Sequence, residues 1–259
     1  MFSTKNNNRK IIGIVGGLGP YAGMDFERKI FDAVSIKTEQ DYPEVIMISS
    51  PCSVADRTNY ILNPIAENPA IGICYMIKKL ASAGATHIAI PCNTAHSSVI
   101  MNQIKNFIDL NNIDVVLFDI VEETYKFMKA RDFSKTPVLF ATYGTYHSNV
   151  FHDVFEKENE FRVIEPDEDG KKLIWDSIYS KEFGVKMFSN PVKDKAVENL
   201  KIVAEKMLSK GYDTFIMGCT EIPLAMGRLR LPVKLIDPTK ILARALVKAV
   251  CPEQLKSEL

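Results

Sequence analysis

The chain has 259 residues, of which 46% are hydrophobic and 25% are charged. These proportions are typical of a globular protein and exclude a disordered chain, a collagen-like repeat and a small disulfide-rich scaffold. At roughly 100–200 residues per domain, the length allows one large domain or two small ones. Because 32 basic residues are balanced by 32 acidic ones, no basic excess is left to neutralise phosphates. A dedicated nucleic-acid-binding protein is therefore not expected.

The sequence also bears on the compartment. No apolar stretch reaches the roughly 18–20 residues that a membrane span needs, and the first ten residues, MFSTKNNNRK, are too polar for a signal peptide. We therefore expect a cytoplasmic protein without a membrane partner. The five cysteines are widely spaced and show neither a CxxC motif nor zinc-ligand spacing. We expect free thiols and no metal site.

Short runs rich in Ile and Val alternate along the chain with longer segments of helical period. The predicted strands are residues 11–16, 45–49, 87–91, 115–118, 138–142, 161–164, 214–217 and 233–236. The clearest predicted helices are residues 68–83, 93–110, 146–157, 193–210 and 240–250. The strands are apolar throughout, as strands buried on both faces are. The alternation predicts an α/β fold with mainly parallel sheets flanked by helices.

The second half of the chain repeats part of the first at a constant shift of 127 positions. Lys79, Ser82, Gly84 and Cys92 recur as Lys206, Ser209, Gly211 and Cys219, and Gly17 falls on Gly144. The shift is constant from the first strand to the cysteine, which favours two similar lobes over coincidence. We expect a first lobe of residues 1–119 and 239–259, a second lobe of residues 120–238, and a ligand cleft between them.

Two cysteines stand directly after predicted strands, at the sheet edge where ligands of parallel sheets bind. Cys92 and Cys219 are therefore expected to face each other across the cleft. A helix start after Cys92, capped by Asn93 or Thr94, would lower the thiol pKa and favour the thiolate, and Cys219 repeats this arrangement. Two opposed thiols suit proton removal from one face of a carbon and proton delivery to the other. A nucleophilic cysteine would need one thiol and a histidine base, and although His96 follows the first cysteine, nothing comparable follows the second.

Four segments carry a family resemblance: GIVGGLGP at 13–20, PCNTAH at 91–96, ATYGT at 141–145 and GCTEIPL at 218–224. In this order they resemble the aspartate/glutamate racemase superfamily, and its cofactor-independent aspartate-racemase branch most of all. The resemblance implies two pseudo-symmetric lobes with the active site between them, frequent homodimers, and racemisation of an acidic amino acid without any cofactor. It also implies that Cys92 and Cys219 are the acid/base pair serving opposite enantiomers.

The weak acidity of the α-hydrogen requires donors around the substrate carboxylate. The candidates are Asn93, Thr94, Thr145, Thr220 and the glycine turn at Gly17. The threonines and the asparagine could equally be helix caps. Arg57 lies in an Asp-Arg-Thr element that, in the relatives this chain resembles, is thought to hold the substrate carboxylate.

Three assignments stay open from the sequence. His96 either sets the protonation state of a thiol or is structural, and Glu221 either assists Cys219 or caps its helix. Relatives use a second basic residue for the substrate side chain, and the sequence does not decide between Tyr179, Lys181 and the nearby Lys186. Cys52, Cys74 and Cys251 have no counterpart in the repeat and are interpreted as structural.

Other functions fit the sequence less well. The turn at residues 17–22 matches the dinucleotide pattern GxGxxA, but the second strand ends in Ile-Ser-Ser-Pro at 48–51, without the acid that would hold a ribose. No lysine is an evident Schiff-base former for pyridoxal phosphate. The alternatives to an aspartate racemase are a glutamate or broad-specificity racemase, a hydantoin- or malonate-type enzyme of the same superfamily, or a non-catalytic amino-acid sensor.

Overall fold

The computed structural model describes residues 9–63 and 65–257. Residues 1–8, which carry most of the segment judged too polar for a signal peptide, lie outside the described residues. Across the two described ranges, no helix has both the length and the apolar character needed to cross a membrane.

The strands are short and alternate with helices along the chain. They are β1 (Ile12–Gly16), β2 (Val45–Ser49), β3 (His87–Ala89), β4 (Val116–Phe118), β5 (Val138–Phe140), β6 (Thr214–Met217) and β7 (Lys234–Ile236). The first helices are α1 (Pro20–Asp32), α2 (Arg57–Leu62), α3 (Pro69–Ser82), α4 (Ser98–Leu110), α5 (Ile120–Lys129) and α6 (Tyr143–His147). The others are α7 (Val150–Phe155), α8 (Glu168–Tyr179), α9 (Asp194–Ser209), α10 (Ile222–Met226) and α11 (Pro238–Val250).

The strands form two parallel sheets, which confirms the predicted α/β fold. The first sheet has the order β2-β1-β3-β4 and the second the order β5-β6-β7. In the first, Ile12 of β1 pairs with Val45 on one side and His87 on the other. The central strands β1 and β6 are buried along their whole length, which explains why both are apolar at every position apart from small residues and threonine.

The repeated unit is visible in three dimensions. In both halves a long helix ends two residues before a glycine of positive φ: α3 ends before Gly84 (φ +99°) and α9 before Gly211 (φ +89°). Each glycine leads into the central part of a sheet, through β3 and β6 respectively. Glycine suits this C-terminal helix position because the left-handed conformation costs it little. The equivalence is weaker at the first strands, since Gly17 has a φ of +87° whereas Gly144 lies inside α6.

Three hydrophobic clusters hold the layers together. One packs β1, β3 and β4 residues such as Ile88 against α3 and α4, and another packs Phe140 and Phe215 against α8 and α9. The third lies between the sheets and joins Ile14 and Leu139 through α1, α5, α7 and α11. The last helix therefore packs on α1 and α5. The exact lobe boundaries, at 119/120 and 238/239, stay a prediction.

Side chains and prolines at the helix starts explain why several helices begin where they do. Asp119 accepts hydrogen bonds from the backbone N–H groups of Val121 and Glu122, and Asp237 accepts from those of Thr239 and Lys240. These contacts satisfy N–H groups that have no partner inside the helix. Helices α1, α3 and α11 also carry proline in the first turn, where it loses no hydrogen bond.

Two predicted helices are interrupted. The segment predicted as a helix over 93–110 is a 3₁₀ turn, Asn93–His96, followed by α4, because Ser97 has an extended ψ of 143°. The segment predicted over 146–157 is split between α6 and α7 by Asn149, whose φ of 52° is left-handed. A left-handed residue ends a right-handed helix.

The prediction of a strand at residues 161–164 is wrong. Ile164 makes a single parallel bridge to Val138, donating to the Pro137 carbonyl and accepting from the Leu139 N–H. Pro137 has no N–H with which to continue the ladder towards Arg162. The segment therefore lies along the edge of the second sheet without becoming part of it.

Candidate active site

A small cavity lies where the carboxyl ends of β3 and β6 meet, and both Cys92 and Cys219 line it. The two thiols come from different sheets: Cys92 follows β3 by three residues and Cys219 follows β6 by two. Both side chains are buried and both are free thiols. The other lining residues are Leu18, Arg57, Thr58, Asn93, Thr94, Thr142, Tyr179, Lys186, Gly218, Thr220 and Glu221.

The cavity has a volume of about 10 Å³, which is near the lower limit for holding one water molecule. An amino acid can therefore enter only when the walls move apart. A second cavity of about 260 Å³ lies beside it and shares Arg57, Lys186 and Glu221 with it. These three charged side chains separate the thiols from the larger outer space.

Arg57 is the first residue of α2 and is almost completely buried. Its guanidinium donates to the Leu18 carbonyl at 3.1 Å, while Nε has no hydrogen-bond partner. Burial works against its charge, but the nearby Cys92 and Asp56 raise the pKa of Arg57 above its usual value. Arg57 is thus a fixed cation in the wall beside Cys92, with a free donor for an anion.

Asn93 lies directly after Cys92 and is 2% exposed. Neither atom of its amide group has a hydrogen-bond partner, although buried polar groups are normally paired. Because the residue lines the cavity, the amide is available to a ligand. Asn93 is not the helix cap considered above, since α4 begins only at Ser98.

A cluster of threonine hydroxyls crosses between the lobes. Thr94 Oγ1 lies 2.8 Å from Thr145 Oγ1 and 3.4 Å from Thr142 Oγ1, and Thr58 donates to Thr142 at 3.4 Å. Thr94, Thr58 and Thr142 also line the cavity, whereas Thr145 does not. Thr145 therefore contacts its neighbours in the cluster, and Thr142 takes the wall position that the sequence analysis gave to Thr145.

Cys219 donates a hydrogen bond from Sγ to Glu221 Oε2 at 3.0 Å. The other carboxylate oxygen, Oε1, accepts from Lys186 Nζ, also at 3.0 Å. Thr220 adds a longer contact of 3.4 Å to Oε2. Glu221 stands at the cap position of α10 but makes no side-chain cap bond. Its side chain instead contacts the thiol.

The structure separates the three candidates for the second basic position. Lys186 lines the cavity and is 17% exposed, whereas Lys181 is exposed in the turn after α8 and does not line it. Tyr179 also lines the cavity, and its hydroxyl donates to Asp56 across the lobes at 3.1 Å. Lys181 is therefore replaced by Lys186 as the cationic candidate, because the turn after α8 brings the later lysine back to the site.

His96 is anchored away from the thiols. Its Nε2 lies 3.1 Å from the Ile90 carbonyl, and its Nδ1 lies 3.2 Å from Asp119 Oδ2. Asp119 also caps α5, so the histidine ties the end of β3 to the start of that helix. The structural reading of His96 fits these contacts.

Gly17 lies on the wall of the outer cavity instead of the inner one. Its φ of +87° favours glycine, and a Cβ atom there would lie 2.8 Å from the backbone nitrogens of Ser50 and Pro51. The glycine lets the turn after β1 approach the turn after β2 closely. Its contribution is to the shape of the entrance.

The expectation that helix starts lower both thiol pKa values is wrong for Cys219. Burial, reinforced by the Glu221 carboxylate, raises its pKa well above the usual value. Cys219 is followed by a turn and the five-residue α10, and α4 begins six residues after Cys92. A helix dipole acts mainly within the first turn, so neither thiol receives the full effect of a long helix.

Comparison with known proteins identifies the family. A model of the Asp/Glu/Hydantoin racemase family matches residues 15–246. The chain belongs to this family. Within it, this chain is 26% identical over 243 residues to the broad-specificity amino-acid racemase RacX of Bacillus subtilis, covering 92% of this chain and 96% of that protein.

Solved structures of the family share the fold. The aspartate racemase of Picrophilus torridus superposes with a TM-score of 0.79 at 25% identity, covering 95% of this chain and 96% of that one. A glutamate racemase of Francisella tularensis superposes with a TM-score of 0.64 at 16% identity, covering 97% and 85%. The two-lobe racemase fold is therefore shown for this chain.

Sequence reasoning missed several residues of the site, chiefly Thr58, Thr142 and Leu18. Thr58 follows Arg57 in the Asp-Arg-Thr element, and Thr142 follows the second-lobe strand that the repeat aligns with β1. Both lie in segments that the sequence analysis had already singled out. Leu18 lies in the glycine turn and offers a backbone carbonyl, which no side-chain pattern reveals.

Proposed function

We propose that the protein is a cofactor-independent amino-acid racemase that interconverts L- and D-aspartate with Cys92 and Cys219 as the two acid/base groups. The observation that carries the proposal is the meeting of two buried thiols, one from each sheet, at a single cavity. Membership of the Asp/Glu/Hydantoin racemase family supports it. So does the similarity to an aspartate racemase of known structure.

The reaction uses the two thiols in turn. The thiolate of one cysteine removes the α-proton, the C–H electron pair remains on Cα, and the thiol of the other cysteine donates a proton to the opposite face. The proton lost and the proton gained balance, and the configuration at Cα is inverted. The reverse reaction exchanges the roles of the two sulfurs.

The difficult step is the formation of negative charge beside a carboxylate. Fixed donors in a site without bulk water stabilise such charge more strongly than donors in water do. Arg57 provides a buried cation with a free Nε–H, and Asn93 provides an unpaired amide. We assign the substrate carboxylate to these two groups, with the threonine hydroxyls beside them.

Aspartate is the proposed substrate because the cavity wall contains a second cation. Lys186 uses one of its three N–H donors on Glu221, which leaves donors for a side-chain carboxylate. The same ion pair also supports a second candidate, a broad-specificity racemase. Because Glu221 already balances the charge of Lys186, an uncharged substrate side chain leaves no unpaired cation.

Proton exchange in deuterated water tests the proposal. Reduced protein without added cofactor is incubated with L-aspartate, and NMR follows the α-proton while a chiral assay follows D-aspartate. The proposal expects exchange together with D-aspartate. L-Glutamate, L-alanine and L-leucine are measured in parallel, and similar rates for all four would favour the broad-specificity candidate. Tight binding of aspartate without exchange would replace the racemase with an amino-acid sensor.

A further inference from the structure

The two thiols of the site lie in electrostatically different surroundings. Cys219 donates to a carboxylate oxygen of Glu221 at 3.0 Å. An ionised carboxylate only accepts hydrogen bonds, so this contact exists only while Cys219 carries its proton. Loss of the proton would place a thiolate and a carboxylate in direct contact inside a closed cavity.

Glu221 is held in its ionised form. The side chain is 4% exposed, and burial alone would favour the neutral acid. The Lys186 ammonium at 3.0 Å from Oε1 outweighs burial and lowers the pKa of Glu221. The carboxylate is thus a permanent hydrogen-bond acceptor for the thiol.

The other polar groups around Cys219 do not change its preference for the protonated form. Tyr146 is fully engaged with the backbone, donating to the Leu139 carbonyl and accepting from the Ala141 N–H. Tyr179 donates to Asp56. Lys186 would favour the thiolate, but Glu221 lies between it and the sulfur and takes its hydrogen bond. Arg57, on the other lobe, acts on Glu221 by its charge.

Cys92 faces a cation instead. Both Cys92 and Arg57 line the inner cavity, and Arg57 is almost completely buried. The first thiol therefore lies near a cation, whereas the second is hydrogen-bonded to a carboxylate.

Taking the proposed racemase function as given, we propose that Glu221 is a positioning residue that keeps the proton of the thiol pair on Cys219. The resting enzyme then holds its proton at Cys219, which leaves Cys92 to act as the base of the two-thiol reaction. Cys92 removes the α-proton from the first enantiomer, and Cys219 delivers its proton to the opposite face. Turnover leaves Cys92 protonated and Cys219 as a thiolate beside Glu221, and exchange with water returns the pair to its resting state.

Cysteine ¹³Cβ NMR tests the assignment directly, because the chemical shift follows the protonation state even of a buried thiol. The signals are assigned with Cys92→Ala and Cys219→Ala, and the pH titration is done on substrate-free, reduced protein. The expected result is that Cys219 titrates well above the usual thiol pKa of about 8.5. Cys74, whose pKa burial raises to about 11, lies on α3 in a separate cluster and serves as an internal control.

Two variants separate the charge of Glu221 from its shape. Glu221→Gln removes the negative charge while preserving shape, so the Cys219 titration should fall by about one pH unit or more. Glu221→Asp keeps the negative charge on a shorter side chain, so the fall should be smaller. Cys74 should titrate unchanged in both variants. A merely structural role for Glu221 would make the shortened side chain at least as disruptive as the amide of the same shape.

The inference is overturned if Cys219 titrates at or below the usual thiol pKa of about 8.5 in the wild type, or if Glu221→Gln leaves its titration unchanged or raises it. If Glu221→Gln does not fold, the wild-type titration and the Glu221→Asp shift decide. The titration needs no substrate, so its result is independent of whether the protein racemises aspartate. Absence of turnover would refute the proposed function while leaving the protonation assignment measurable.

Discussion

Tyr179, the last residue of α8, donates a hydrogen bond of 3.1 Å to Asp56, the residue that caps α2. This contact joins the second lobe to the first next to Arg57. Tyr179 lines the inner cavity and Asp56 the outer one. Because the inner cavity is too small for an amino acid, we expect substrate entry to break this contact between the lobes.

Tyr179→Phe is expected to shift the lobes towards the open state. A hydrogen bond to a charged group contributes roughly 1.5–3 kcal/mol, which corresponds to a change of about 10- to 100-fold in the ratio of closed to open protein. Trp175 stacks on Tyr179 with ring centroids 4.0 Å apart and is the only tryptophan of the chain. Acrylamide should quench its fluorescence more strongly in the variant than in the wild type, and saturating aspartate should reduce quenching in both. Equal quenching in both proteins would show that the contact does not hold the lobes.

Arg57→Ala is expected to reduce kcat/KM for aspartate by about 10- to 100-fold, since charged hydrogen bonds contribute roughly 1.5–3 kcal/mol. Arg57→Lys is the matched control, because it keeps the charge but loses the planar fork of donors. It should recover only part of the loss. Steady-state kinetics in both directions measure the effect. Wild-type kinetics in Arg57→Ala would remove this residue from the substrate site.

Lys186→Met is expected to separate acidic from neutral substrates. If Lys186 binds the side-chain carboxylate, kcat/KM for aspartate should fall about tenfold more than kcat/KM for alanine. A tenfold difference corresponds to about 1.4 kcal/mol of transition-state stabilisation. The exposed Lys181 provides the control, and Lys181→Met should leave both values unchanged. Equal losses for aspartate and alanine in Lys186→Met would assign the lysine only to the support of Glu221.

Asp119→Asn is expected to lower the free energy of unfolding by about 1.5–3 kcal/mol at pH 7, because asparagine can still cap α5 but loses the charged contact with His96. Burial opposes its charge, but His96 and the backbone N–H groups lower its pKa well below the usual value. A lowered carboxyl pKa stabilises the fold above the unfolded pKa of about 3.9, and this stabilisation is lost as the pH falls towards the folded value. The difference from wild type should therefore shrink between pH 5 and pH 2.

Urea unfolding at a series of pH values measures this difference. The exposed Asp132 supplies the control, and Asp132→Asn should have little effect at any pH. A destabilisation by Asp119→Asn that stayed constant down to pH 2 would mean that the charge of Asp119 contributes nothing.

The sequence predicted the elements whose cause is local. A helix followed by a glycine, an apolar strand and a cysteine is a pattern of consecutive residues, and α3 to Cys92 and α9 to Cys219 have this structure. Caps such as Asp237 could be recognised in the same way. The strand expected at 161–164 failed because its partner, Pro137, lies in another segment and cannot donate a hydrogen bond.

The parts of the site that depend on the packing of distant segments could not be predicted. Lys186 lies 33 positions before Cys219, in a turn whose sequence has neither helical nor strand period. The distance from Lys186 to the cavity therefore depends on tertiary packing and not on the local sequence. The contact between Thr94 and Thr145 exists only because the two lobes meet. The lobe boundaries, a homodimer and a cytoplasmic location stay predictions.

Racemisation by the two single-cysteine variants tests the central claim most directly. Cys92→Ala and Cys219→Ala are compared with wild type for the conversion of L-aspartate to D-aspartate and of D-aspartate to L-aspartate, with circular dichroism confirming that each variant is folded. A general acid or base typically contributes about 10²–10⁴-fold to the rate, so each variant should lose at least about 100-fold in both directions. Inversion at the wild-type rate by either folded variant would contradict the two-thiol mechanism.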